Sequence, residues 1–70
     1  DAGSEEFIKK TIVELAHKGV SIIIISHDLD ELLEVCQKIS VLYEGSLSNP
    51  LNVKNINITK LGKYMGGLFD

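Results

Sequence analysis

The chain has 70 residues, a net charge of −3 at neutral pH and a single cysteine. That length holds little core, and one cysteine excludes an internal disulfide. All seven basic residues are scattered lysines with only Lys9 and Lys10 adjacent, which argues against a nucleic-acid surface, and no apolar run approaches the roughly 20 residues of a membrane span.

Ser4 is placed to cap a first helix, with Glu5 and Glu6 in the first turn, where the helix dipole favours carboxylates. Ile8, Ile12, Leu15 and Ala16 then repeat at helical spacing and predict one apolar face. His17 and Lys18 fall in the last turn, and Gly19 is a natural stop. His17 there reads as a solvated residue, not a ligand.

Val20 to Ser26 contains four consecutive isoleucines and predicts a strand buried on both faces. Asp28 follows as N-cap of a second helix, with Glu31 three residues on in a capping-box arrangement. His27 is thereby expected at the carboxyl end of a parallel strand, where open α/β sheets bind ligands. From spacing alone, a histidine there either touches a phosphate, moves a proton, or is simply satisfied by nearby backbone. Asp28 and Glu31 could join His27 around a metal, but helix capping explains them more simply, and no metal site is expected.

The second helix is predicted from Leu29 to Gln37. Leu29, Leu32, Leu33 and Cys36 share one face, with Asp30, Glu31 and Glu34 outside it. Cys36 reads as a small apolar-face residue, not a reactive thiol. A second strand is expected from Lys38 to Glu44, half covered, since Ile39, Val41 and Tyr43 alternate with Ser40, Leu42 and Glu44. The helix between the two strands predicts a right-handed parallel crossover. Gly45 turns the chain, and Ser46 to Ser48 can return as a short edge strand. Asn49-Pro50 breaks the pattern, because proline cannot donate to a ladder. The stretch 51–58 reads as loop or weak strand. Thr59 is placed to cap a last short helix through Leu61, Tyr64 and Met65, ended by Gly66-Gly67.

Asp1-Ala2-Gly3-Ser4, a helix, Gly19-Val20, the run from Ser21 to Glu31, and Lys38 to Gly45 together resemble the C-terminal part of an ABC-transporter ATPase cassette. In that family a D-loop aspartate is followed by a helix, a strand, the switch histidine, a helix and a strand ending in "EG" or "DG". The stretches Asp28 to Glu31, Tyr43-Glu44-Gly45 and Ile58 to Gly67 are similar to the second cassette of sugar and nucleoside importer ATPases. The resemblance implies an α/β fold: the C-terminal strand-helix-strand part of a P-loop NTPase, with a short hairpin and a terminal helix. It implies that residues 1–70 form an incomplete portion of one ABC ATPase domain.

Carried over residue by residue, Asp1 matches the D-loop aspartate that faces the partner cassette across ATP, and His27 matches the switch histidine that contacts the γ-phosphate. The phosphate loop, the LSGG-type signature and the Walker B carboxylates are not in the sequence and are expected before Asp1. Many second cassettes of the sugar-importer group carry another residue in place of the histidine, so His27 is a departure. The implied cofactors are ATP and Mg²⁺. The implied partners are a second cassette and membrane permease subunits, at the cytoplasmic face of the membrane. The 70 residues alone are expected to be inactive and to hold ATP only weakly. Two other readings stay open: a small α/β binding module, and a non-catalytic interaction fragment from a truncated gene.

Overall fold

The computed structural model describes residues 2–69. They form two compact units, 2–35 and 36–69.

The first unit holds α1 (Ala2–His17) and α2 (Leu29–Val35). α1 begins two residues before Ser4, so Ser4 lies in its first turn and is not its N-cap. Its end follows the expectation. Gly19 has φ +89°, Val20 N–H donates to Leu15 C=O at 3.1 Å, and Gly19 N–H donates to Ala16 C=O at 3.0 Å. This pair of bonds satisfies the last carbonyls of the helix and needs a left-handed residue, which glycine supplies without strain. No side chain of α1 is buried; on its predicted apolar face Ile12 and Ala16 are half-buried, while Ile8 and Leu15 are exposed.

The stretch 20–26 corrects the sequence reading. It has no ladder partner among the described residues, and Ile23 and Ile25 are 90% and 93% exposed. Isoleucine content makes a segment fit to be a strand but does not provide its neighbours. The expected neighbour, 38–44, makes its ladder bonds within the second unit instead. The expected parallel ladder between the two stretches is therefore not formed among the described residues.

The second unit is a hairpin with a helix after it. β1 (Lys38–Ile39) pairs antiparallel with β4 (Leu51–Asn52), and β2 (Leu42–Tyr43) with β3 (Ser46–Leu47). Glu44 and Gly45 both have positive φ, 46° and 83°. A two-residue type I′ turn requires this, and its twist matches that of the strands. Between the two pairs the register slips by one residue. Leu42 faces Leu47, but Ile39 faces Leu51, so 48–50 lie opposite 40–41. That is a bulge, and Pro50 sits in it, where a missing N–H interrupts nothing.

Ser48, 5% exposed, holds the bulge. Its N–H donates to Val41 C=O at 2.8 Å, its hydroxyl accepts from Val41 N–H at 2.9 Å and donates to Asn49 C=O at 3.0 Å. The single strand expected from Lys38 to Glu44 is thus split in two. After a 3₁₀ turn at Val53–Asn55 comes α3 (Ile58–Met65). Asn57, not Thr59, caps it: Asn57 Oδ1 accepts from Lys60 N–H at 3.0 Å. Gly66-Gly67 ends it as expected, with Leu68 N–H on Lys63 C=O at 2.9 Å and Gly67 N–H on Tyr64 C=O at 2.9 Å.

The core lies in this second unit. Ile39, Leu61 and Tyr64 are its buried apolar residues. Tyr64 also stacks tilted on Phe69 at 5.4 Å and lies 5.7 Å under the Lys60 ammonium.

Candidate functional site

His27 occupies a bend just before α2 and is exposed. The residues on either side fix that bend. Ser26 Oγ accepts the N–H of Asp28 at 3.0 Å. Asp28 Oδ1 accepts the N–H of Glu31 at 3.1 Å, and Asp28 C=O accepts from Leu32 N–H at 3.1 Å. Asp28 is therefore the N-cap that its position predicts. The other half of the expected capping box is different: the N–H of Asp28 goes to Ser26, the place Glu31 was expected to fill. The signal for this was present as Ser-x-Asp, a spacing that favours a hydroxyl-to-backbone turn.

α2 is itself tied to α1. Lys9 Nζ donates to Glu34 Oε2 at 2.9 Å and lies 3.7 Å from Glu6 Oε1. The hydrogen bond to Glu34 holds the Lys9 ammonium above its ordinary pKa, against an opposing effect of desolvation and with help from the charges of Glu34, Glu6 and Glu31. Neither spacing nor composition singled out Lys9, because its partner is 25 residues away.

Asp1, the other expected site residue, lies outside the described residues. Cys36 falls one position past α2 and is half-buried; burial pushes its thiol pKa up, which favours the inert thiol. Among the described residues no three His, Cys, Asp or Glu side chains come together as a metal site. No described helix is long and apolar enough to cross a membrane.

An exposed imidazole on a fixed turn can make one hydrogen bond to an anion or hold one proton. A triphosphate with its cation needs a glycine-rich loop of N–H groups and a lysine, and no GxxxxGK[ST] stretch occurs in the 70 residues.

Comparison with known proteins bears on the family of the chain. The chain is 39% identical over all 70 residues to the ribose import ATP-binding protein RbsA of Shigella dysenteriae. It is 44% identical over 54 residues, 77% of the chain, to the RbsA of Lactococcus lactis. The nucleoside import ATP-binding protein NupA of Lactococcus lactis is 30% identical over 67 residues, 96% of the chain. The chain is homologous to the ATP-binding proteins of sugar and nucleoside ABC importers. It spans 14%, 11% and 13% of those three relatives' lengths. No family model matches it, and no solved structure does.

Proposed function

We infer that residues 1–70 are the C-terminal portion of one ABC ATPase domain. In this reading they belong to an ATP-hydrolysing subunit that energises import of a sugar or a nucleoside. The observation that carries it is the identity of 39% across the full 70 residues to a ribose import ATP-binding protein. That a nucleoside import protein matches over 96% of the chain widens the solute class without changing the activity.

Within that reading His27 is the switch histidine. It stands on a turn fixed from both sides, and its exposure leaves the imidazole accessible to a terminal phosphate. A positioned donor at that place stabilises charge that develops on phosphate oxygens during transfer. Asp1 is the residue that faces a second cassette. ATP with Mg²⁺ supplies the reacting phosphate, and residues of other segments hold it. Permease subunits and a second cassette are the working partners, which puts the assembly at the cytoplasmic face of the membrane.

A segment exchange tests the reading. The ribose import ATP-binding protein of Shigella dysenteriae, with its matching segment replaced by this chain, is expected to retain Mg²⁺-dependent ATP hydrolysis. A folded chimera that binds ATP but never turns it over would overturn the catalytic role.

A further inference from the structure

The N–H of Asp28 has a choice of acceptor, and the choice bears on His27. Glu31 stands three residues on, where a capping box would use its carboxylate. That bond would tie Asp28 to α2 and leave the His27 backbone free. The structure uses Ser26 instead, whose hydroxyl oxygen accepts the Asp28 N–H at 3.0 Å. The ring closed by this bond runs from the Ser26 side chain through both backbone torsions of His27 to Asp28. Asp28 is anchored in turn, since its Oδ1 accepts the Glu31 N–H at 3.1 Å and its C=O accepts the Leu32 N–H at 3.1 Å. His27 is therefore held by a hydroxyl on one side and the first turn of α2 on the other. These bonds join residues 26–32 to one another and need no element from outside that stretch.

We propose that Ser26 is a positioning residue for His27: its hydroxyl fixes the backbone from which the imidazole reaches a terminal phosphate. This rests on the reading of His27 as the switch histidine. A donor already in place needs no reorganisation when charge develops on the phosphate oxygens. Removing the hydroxyl leaves that donor present but loosely aimed. The loss is thus smaller than the loss of the imidazole itself, and it acts on turnover, not on nucleotide binding.

The test uses the chimera with the ribose import ATP-binding protein. Ser26→Ala is expected to lower kcat by about 3- to 10-fold, the range of one neutral hydrogen bond, with ATP affinity unchanged. Ser26→Thr keeps the hydroxyl and restores the parent rate. In a His27→Ala background, Ser26→Ala has no further effect, because the hydroxyl acts through the imidazole. A purely structural role would repeat the loss in that background, and that result would overturn the proposal. A slow His27→Ala beside a Ser26→Ala at the parent rate would also overturn it, leaving the reading of His27 intact. His27→Ala at the parent rate would remove both. One arm needs no turnover: the HN–Hα coupling of His27, measured by NMR on the 70-residue chain, reports its φ. It is expected to move toward a freely averaged value in Ser26→Ala and to stay at the parent value in Ser26→Thr. An unchanged coupling in Ser26→Ala would overturn the proposal whatever the rates.

Discussion

Gly67 shows how much one backbone position can decide. Its φ is +88°, and an added Cβ would stand 2.5 Å from two carbons of the Tyr43 ring. Gly67→Ala is therefore both strained and blocked, and is expected to destabilise the second unit by more than about 1 kcal/mol. Gly62 is the contrast. It lies inside α3 with nothing within 4 Å of an added Cβ, so Gly62→Ala should stabilise by about 0.5–1 kcal/mol. Urea unfolding followed through NMR signals of residues 36–69 measures both. Ser48 is the third such position. Ser48→Ala leaves the Val41 N–H without its hydroxyl partner in a part-buried site, a loss expected to cost about 1–3 kcal/mol. Equal stability of the Ser48→Ala variant in the same experiment would show that the bulge does not depend on that hydroxyl.

Elements differ in how much of them can be read from local sequence. Gly19 and Gly66-Gly67 end their helices as expected, and Asp28 starts α2, because a cap is settled within a few residues. The Glu44-Gly45 turn is legible for the same reason. Ser4 and Thr59 fail as caps because a neighbouring position begins the helix first: α1 already starts at Ala2, and Asn57 takes the Lys60 N–H. The stretch 20–26 fails differently. Its isoleucines are right for a strand, but a ladder depends on which other segment arrives beside it, and no local pattern states that. His27 is expected at the carboxyl end of a parallel strand and stands instead on a bend before α2, and the role proposed for it comes from resemblance, not from spacing. The tie between α1 and α2 was not legible, since Lys9 and Glu34 are far apart in sequence. It carries a pH signature. The folded-state pKa of Lys9 is raised above its ordinary 10.5, so the contribution is fully present below that value and fades as pH rises past it. Titration of the Lys9 side chain by NMR should therefore give a higher pKa in the wild-type chain than in Glu34→Gln.

At the scale of the whole molecule, the buried apolar residues among those described all belong to residues 36–69, and α1 and α2 bury none. Such a chain is expected to show no cooperative transition above about 60 °C, the upper end for mesophilic domains. It is also expected to bind Mg²⁺–ATP only weakly by isothermal titration, because the loop that would cradle the phosphates is not in its sequence. Micromolar binding by the 70 residues would contradict that. The place of His27 in phosphoryl transfer is the central claim, and the chimera with the ribose import ATP-binding protein tests it most directly. Steady-state ATPase rate and nucleotide affinity are measured for the chimera, for His27→Ala, and for His17→Ala as an exposed helical control. The expected result for His27→Ala is a rate lower by about 10²- to 10³-fold with affinity nearly unchanged, as for removal of one positioned donor, and parent behaviour for His17→Ala. Turnover by His27→Ala at the parent rate, or an equal loss in His17→Ala, would contradict the account.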